Sequence, residues 1–313
     1  MNSLLVAAHV VVPLLVLIAI GYMAGALRWI SNESFMQMNR LVFNILLPCV
    51  LFDNVYSVSL SSVVNPSMLL FSVCAVLAVF ACGIPVSGLL TRDPKKRGVA
   101  LQSIFRSNFV LYGFPIVQSL YTRAQSGSVV ILIAAIVPVF NVLAVMALVM
   151  FNKEKTGAAQ IAFKIIKNPL IIAAALGIVC SASGFVMPVI VSRSLSNLTA
   201  AATPVALIVL GGTFRRQSVG QNKNLLISLA SLRLLIVPAV CLTFAIIFGF
   251  RNVELLGFVA LFGSPVAVSS FSMAQQMDAD SELAGQNLLF NTVFSILTIF
   301  MWVSALNYFQ LIV

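Results

Sequence analysis

The sequence predicts an all-helical polytopic membrane protein of ten transmembrane spans, arranged as two inverted five-helix repeats with a broken helix in each. Of its 313 residues 61% are hydrophobic and 8% are charged, and the mean hydropathy is +1.09. A soluble domain does not have this composition, whereas apolar runs of about 20 residues cross a bilayer. A collinear recurrence of proline and glycine in the two halves predicts the repeats.

Ten apolar runs are long enough to span a membrane. They cover residues 4–26, 36–57, 67–90, 99–121, 128–151, 169–187, 198–214, 224–249, 254–276 and 285–308. The first run lacks the basic leading segment of a signal peptide, and its Pro-Leu and later Gly recur in the sixth run. We therefore expect it to be a helix of the mature protein.

Lysine and arginine are distributed unevenly among the loops. Twelve lie in the loops after spans 1, 3, 5, 7 and 9, whereas the loops after spans 2, 4, 6 and 8 hold three, Arg123, Arg193 and Arg251. Because cytoplasmic loops are enriched in these residues, the first set is predicted to be cytoplasmic. Both termini are then outside, which is the periplasm for the expected bacterial inner membrane.

The two halves of the chain, 1–151 and 152–313, share a collinear pattern. The matched pairs are Pro13 and Pro169, Gly21 and Gly177, Pro48 and Pro204, Pro85 and Pro238, Gly113 and Gly263, and Pro115 and Pro265. Since each half contains an odd number of spans, the second half must insert upside down relative to the first. Inverted repeats of this kind are typical of secondary transporters.

Gly-x-Pro stands in the middle of spans 4 and 9, and we expect each helix to break there, at Gly113–Pro115 and Gly263–Pro265. Proline interrupts a helix, and Ser264 could cap the second half of span 9. The two second halves would begin near the bilayer midplane and run in opposite directions. Their converging N-termini, each with partial positive charge and free N–H groups, predict an anion site. We expect the anion to be a carboxylate.

Five polar side chains near these breaks are candidates for substrate binding, together with the Gly-x-Pro residues themselves. They are Asn108, Asn141, Ser269, Ser270 and Asn291. An amide inside a membrane span needs a partner, which a polar cavity supplies. The alternative for each is a hydrogen bond that only joins helices.

Away from the loops, three charged residues lie inside spans or at their edges. Arg106 and Arg233 could attract an anion from the cytoplasm, or they could extend to the inner interface. Asp53 lies near the outer end of span 2, where a structural role is expected. No Lys or Arg is predicted at either break, so the helix N-termini and amides are expected to supply the positive field.

Other chemistry is poorly represented in the sequence. The five cysteines lie in apolar runs, where they pack as small side chains, and His9 is the only histidine. Paired carboxylates and a Ser/Lys arrangement at span depth are missing. We expect no enzyme activity, no metal site and no cofactor. The net charge of +10 reflects topology, not nucleic-acid binding.

With its breaks placed, the chain resembles the auxin efflux carrier family of bacterial carboxylate permeases and plant PIN-type auxin exporters. The motifs are Asn108-x4-Gly113-x-Pro115, the run from Gly263-Ser-Pro265 to Gln276 with its Phe-x-x-Ala and polar pair, and Leu46-Leu47-Pro48. The resemblance extends from about residue 5 to residue 308.

This resemblance implies a scaffold of spans 1, 2, 6 and 7, which often dimerises, and a transport unit of spans 3–5 and 8–10 that moves by an elevator mechanism. It implies site positions at Asn108, Pro115 and Pro265. The short loop after span 5 favours a prokaryotic member. Span 3, Met68 to Leu90, has no charged residue. Plant members carry an acid–base pair there, so their support site does not carry over.

The predicted function is secondary active transport of a small organic anion, malonate- or auxin-like, by a homodimer in the lipid bilayer. A coupling ion, proton or sodium, is left open. The alternatives are a sodium-coupled bile-acid-type symporter and a membrane sensor that binds its ligand without moving it. Sodium dependence of uptake identifies the first, and saturable binding without flux identifies the second.

Overall fold

The computed structural model describes residues 3–57, 66–118, 120–122, 127–151, 163, 166–214 and 219–312. Every regular element in these ranges is helical, which confirms the all-helical class. The predicted outer-loop residue Arg123 lies outside them. Their twelve helices are α1 Ser3–Ala26, α2 Asn32–Tyr56, α3 Pro66–Leu90, α4 Pro94–Phe105, α5 Phe109–Gln118, α6 Gly127–Met150, α7 Pro169–Ala182, α8 Val189–Thr213, α9 Val219–Ile247, α10 Asn252–Gly263, α11 Ser269–Gln276 and α12 Ser281–Tyr308.

Six of these helices are long and apolar enough to cross a membrane, namely α2, α3, α6, α8, α9 and α12. Shorter apolar helices are Val11–Ala26 within α1, α5, α7 and α10. The pairs α4–α5 and α10–α11 fall in predicted spans 4 and 9, so both spans are broken, as expected. The arrangement of ten spans as an inverted repeat stays a prediction.

Local sequence determines where several helices begin. The Asp93 side chain accepts a hydrogen bond from the Lys95 N–H at 3.0 Å, and Pro94 occupies the first turn of α4. Asp280 caps α12 in the same way, since its carboxylate accepts from the Leu283 N–H at 2.8 Å. These caps satisfy N–H groups that have no partner within the helix.

Two wide π-turns interrupt long helices, at Val42–Leu46 in α2 and Leu232–Ile236 in α9, and each ends two residues before a proline. A proline donates no N–H and crowds the carbonyl four residues earlier. In α9 the proline is Pro238 and that carbonyl belongs to Leu234, which accepts instead from the Trp302 indole N–H at 3.0 Å. The π-turn thus accommodates a proline within a membrane helix.

Helices α1 and α8 pack with their backbones in close approach. A Cβ atom on Gly21 would overlap the Ile208 carbonyl, and one on Gly211 would overlap the Ile18 carbonyl. Small residues permit this proximity, which drives helix association in a bilayer where apolar burial contributes little. The second half of α2 packs in turn against α7.

The broken helices occupy the centre of the protein. Every residue of α10 from Leu255 to Gly263 is buried, as is every residue of α4 from Gly98 to Phe105. Irregular backbone at membrane depth is tolerated only inside protein or along a cavity. The surrounding helices meet this requirement for both breaks.

The first break lies at Arg106–Asn108 and not at Gly113–Pro115, so the predicted position was wrong. Arg106 has an extended backbone, with φ −86° and ψ 118°. The Asn108 N–H donates to the Pro265 carbonyl at 2.7 Å, and Ser107 forms an antiparallel bridge with Val266. The chain therefore leaves the helix where the second break can satisfy its backbone groups.

Gly113 and Pro115 instead lie inside α5. A Cβ atom on Gly113 would lie 2.9 Å from the Phe109 ring and 3.1 Å from the Ile133 side chain. The glycine therefore permits α5 to pack closely on α6. Pro115 costs α5 one internal hydrogen bond without ending the helix.

The second break lies at Ser264–Val268, next to the predicted Gly263–Pro265. Ser264 does not cap the second half-helix, as was predicted. It ends α10 with an extended backbone, and its hydroxyl donates to the Ala260 carbonyl. Helix α11 starts only at Ser269, because the intervening residues pair with the first break.

Candidate functional site

A cavity of about 100 Å³ lies where the two breaks face α2, α6 and α8. Its polar lining includes Arg106 and Asn108 from the first break, Asn141 from α6, Ser269 from the start of α11, and Asn54 from α2. The first four were predicted as candidates from sequence, and the structure brings them together around one space.

Arg106 is the central polar group of this cavity and is only 3% exposed. One terminal nitrogen, Nη2, donates to the Asn141 Oδ1 at 2.6 Å and to the Ser269 Oγ at 2.7 Å. The other, Nη1, lies 2.7 Å from the Met273 Sδ. The guanidinium thus connects the first break to α6 and to α11.

Its neutral partners leave the charge of Arg106 uncompensated. Asn141 and Ser269 contribute dipoles, and Asn141 is itself oriented by donating its Nδ2–H to the Val137 carbonyl at 2.8 Å. Among the described residues that line the cavity, none is acidic. The expectation that neither break holds a basic side chain was therefore wrong, because the first break lies at Arg106.

Two helix N-termini face the same cavity. Phe109, the first residue of α5, and Ser269, the first residue of α11, both line it. The first-turn N–H groups of a helix have no partner inside the helix and carry about half a positive charge in total. The sequence predicted that the two N-termini converge. The structure shows both of them at one cavity, with the first break at Arg106–Asn108 and not at Gly113–Pro115.

Asn54 is a candidate that the sequence reading missed. It lines the cavity from α2, and its Nδ2 is buried with no hydrogen-bond partner among the described residues. A buried donor without a partner costs free energy, which a ligand oxygen in the cavity would recover. An amide in the apolar run of span 2 was the available signal.

The remaining predicted substrate-binding residues do not line the cavity. They are Gly113, Pro115, Gly263, Pro265, Ser270 and Asn291. Pro265 acts through its carbonyl, which accepts from Asn108. Asn291 donates to the carbonyl and the side-chain oxygen of Asn287, both at 2.9 Å, and Asn287 donates to the Ser103 hydroxyl at 2.8 Å. The bonds of Asn291 thus stay within α12, and it is Asn287 that joins α12 to α4.

Arg233 does not line the cavity either, and its contacts differ from those expected of a residue that attracts an anion. It is fully buried. Its guanidinium donates to four backbone carbonyls, those of Ser264 at 2.9 Å, Leu261 at 3.1 Å, Phe105 at 3.2 Å and Ile104 at 3.3 Å. These carbonyls end α4 and α10, so Arg233 caps both first half-helices.

A larger groove of about 790 Å³ lies between α3 and α9. Its wall is mainly aliphatic, aromatic and cysteine side chains, such as Phe71, Cys74 and Phe244, and it holds no charged residue. It therefore lacks the groups that would orient an anion. Within the described residues, no three His, Cys, Asp or Glu side chains cluster as metal ligands would.

Comparisons with known proteins place this architecture among transporters. A family model described as membrane transport protein matches residues 6–163 and 158–303. An uncharacterized transporter of Methanothermobacter thermautotrophicus is 24% identical over 302 residues, which cover 93% of this chain and 96% of the relative. An uncharacterized transporter of Methanocaldococcus jannaschii is 21% identical over 300 residues, which cover 94% and 96%.

Proposed function

Because the chain belongs to the membrane transport protein family of auxin efflux carriers, we propose that it is a secondary transporter of small organic anions. Membership of this family supports a membrane location and a transport activity, and it argues against an enzymatic activity. The observation that carries the anionic substrate is the buried guanidinium of Arg106, which faces a cavity and contacts only neutral groups.

Electrostatics favours an anion in this cavity. Removing an ion from water costs several kcal/mol, which a well-placed counter-ion offsets. A carboxylate next to Arg106 would accept charge-assisted hydrogen bonds in the fork geometry that guanidinium favours. The N-termini of α5 and α11 and the Asn54 amide would add further donors. A cation would be repelled by the same groups.

The size of the cavity favours a small substrate. One buried water needs roughly 10–15 Å³ of such space, so the cavity of about 100 Å³ has room for a few small chemical groups. This is closer to a malonate-like acid than to an auxin-like aromatic acid. We propose a short-chain carboxylate as the substrate.

We propose that α1, α2, α7 and α8 form a scaffold and that the other helices form a transport unit, drawn from both halves of the chain, 1–151 and 152–313. In support, α1 packs chiefly on α8, α2 packs on both α7 and α8, and the cavity lies between this group and the two breaks. A substrate at such a boundary would be carried across by an elevator movement, with alternating access.

The orientation and the assembly are further parts of the proposal. Both termini would be outside, the protein would form a homodimer in the bilayer, and a proton or sodium ion would be the coupling ion where one is used. Single cysteines at Ser183 and Gln221, both exposed, test the orientation. An impermeant thiol reagent added outside should label the first and not the second, and the reverse pattern would overturn it.

Substitution of Arg106 tests the anion site. Calorimetry with malonate on the purified protein should show about hundredfold weaker binding for Arg106→Met, because truncating one partner of a buried charge pair costs about 2–5 kcal/mol, or about 30- to 4,000-fold. Arg106→Lys should be weakened less, about tenfold, since it keeps the charge and loses the fork. Uptake of malonate into liposomes should fall in parallel.

The control for this test is Arg193→Met, which removes an exposed arginine outside the cavity and should bind malonate as the unmodified protein does. Unchanged affinity of a folded Arg106→Met protein would overturn the anion site. Uptake that requires sodium would favour a bile-acid-type symporter. Saturable binding without uptake would favour a ligand sensor.

A further inference from the structure

We propose that Arg233 is a positioning residue of the anion site, an inference that rests on the proposed function. Arg233 does not touch the cavity. It joins the last carbonyls of α4 to those of α10, and so holds together the two breaks whose following helices face the anion. It also compensates the negative ends of these two helices, which would otherwise oppose anion binding.

The contacts of Arg233 span both breaks. Nη1 donates to Ile104 and Phe105 at the end of α4, while Nε and Nη2 donate to Ser264 and Leu261 at the end of α10. One rigid, planar group is therefore bonded to both helices. In the described structure, the backbones of the two breaks also contact each other directly. These contacts are the bridge between Ser107 and Val266 and the hydrogen bond from the Asn108 N–H to the Pro265 carbonyl.

The positive charge of Arg233 is about equal in size and opposite in sign to the partial charges of its partners. Each helix C-terminus carries about half a negative charge, so α4 and α10 together present about one. The guanidinium of Arg233 supplies one positive charge to these same carbonyls. The negative ends are thereby neutralised inside the protein, and the positive N-termini of α5 and α11 act on the cavity without this opposition.

The local sequence of α9 presents Arg233 to both breaks. Arg233 belongs to the π-turn Leu232–Ile236, which accommodates Pro238. π-turns inside α-helices occur frequently at functional sites because they alter which side chains share a helix face. The Trp302 indole satisfies the Leu234 carbonyl in this turn, so a side chain of α12 holds the irregular segment that carries Arg233.

The experiment compares Arg233→Lys and Arg233→Met in the full-length protein. Malonate affinity is measured by calorimetry, and amide hydrogen exchange is measured by mass spectrometry in peptides covering 104–110 and 263–270. Arg233→Met should bind malonate about tenfold more weakly, as expected when one charge near a ligand is removed in protein surroundings. Both peptides should exchange faster, while peptides from α3 and α12 should not.

Arg233→Lys separates charge from geometry. A lysine retains the charge, but its ammonium lacks the planar fork of donors with which the guanidinium contacts four carbonyls at once. Its malonate affinity should lie between those of the unmodified protein and Arg233→Met, about threefold below the former, with faster exchange at both breaks. If Arg233→Met does not fold, this variant carries the test.

Arg251→Met is the matched control, because Arg251 also donates to backbone carbonyls away from the breaks, those of Ile246 at the end of α9 (2.9 Å) and Phe250 in the loop that follows (2.7 Å). It should leave malonate affinity and exchange at the breaks unchanged. Uniformly faster exchange with unchanged affinity, or no change in either variant, would overturn the positioning role. If the unmodified protein binds no malonate, the proposed function fails, and exchange at the breaks still judges the Arg233 contacts.

Discussion

Arg106 and Arg233 have the same side chain and similar burial, yet they act on opposite ends of the broken helices. Arg106 lies with the N-termini of α5 and α11 and contacts neutral side chains, whereas Arg233 lies on the C-termini of α4 and α10. From sequence, both were arginines at the inner part of a span. Only the position of the breaks distinguishes them, and that position depends on contacts between distant segments.

Amide side chains show the same limit of sequence reasoning. Asn108 and Asn141 were predicted because an amide in a membrane span needs a partner, and both line the cavity. Asn291 fits the same description, but its partner is Asn287 on its own helix. Which amide meets a cavity is decided by helix packing, and the sequence alone does not supply it.

Asn141→Asp should block anion binding by supplying Arg106 with a permanent internal partner. The Asn141 Oδ1 already lies 2.6 Å from Arg106, so a carboxylate there would pair with the guanidinium directly. We expect malonate affinity to fall at least about thirtyfold at pH 8, as measured by calorimetry.

Asn141→Ala is the comparison, since it removes the hydrogen bond and adds no charge. The variant removes a neutral acceptor of Arg106 and adds no competing anion, so we expect malonate affinity to fall by about fivefold at most, which corresponds to about 1 kcal/mol. Equal affinities of the two variants would show that the charge of Arg106 is not what binds the anion.

At the scale of elements, apolar runs predicted the helices well and Gly-x-Pro predicted the breaks only in part. Pro265 lies in the second break, whereas Pro115 lies inside α5. A proline either ends a helix or costs it one hydrogen bond, and the same tripeptide allows both outcomes. The first break needs partners from residues about 160 positions away, Pro265 and Val266, which no local pattern reveals.

The two prolines should therefore differ in their response to alanine. Pro265→Ala removes the restriction that stops α10 from continuing past Ser264, so it should reduce malonate uptake at least about tenfold. Pro115→Ala restores an N–H to a continuous helix and should leave uptake within about twofold, with unchanged or slightly higher thermal stability. Uptake assays in liposomes and thermal unfolding measure both, and equal loss of uptake would contradict the structural distinction.

Over the whole molecule, the charges at the two breaks leave a net positive field in the cavity. The C-termini of α4 and α10 contribute about one negative charge, which Arg233 offsets. The N-termini of α5 and α11 contribute about one positive charge, and Arg106 adds another. Two distant regions of the chain supply this balance, so the total of about two positive charges emerges only when both breaks are assembled.

This balance predicts how affinity depends on the charge of the ligand. At pH 8, malonate with two ionised carboxyl groups should bind most tightly, its monoamide about tenfold more weakly, and its diamide about tenfold more weakly again. The three ligands have nearly the same size, so the cavity of about 100 Å³ does not distinguish them. Partly buried charge interactions with a helix terminus reach about 2 kcal/mol, which makes a tenfold step per charge reasonable.

Calorimetry on the unmodified protein and on Arg106→Met measures this dependence. In Arg106→Met about one positive charge remains, so the difference between malonate and its monoamide should shrink while the difference between monoamide and diamide persists. Raising the salt concentration should change these differences little, because buried charges are poorly screened. Equal binding of all three ligands would mean that the cavity recognises shape and amide-like hydrogen bonds, and the field of the helix ends would then have no role in substrate selection.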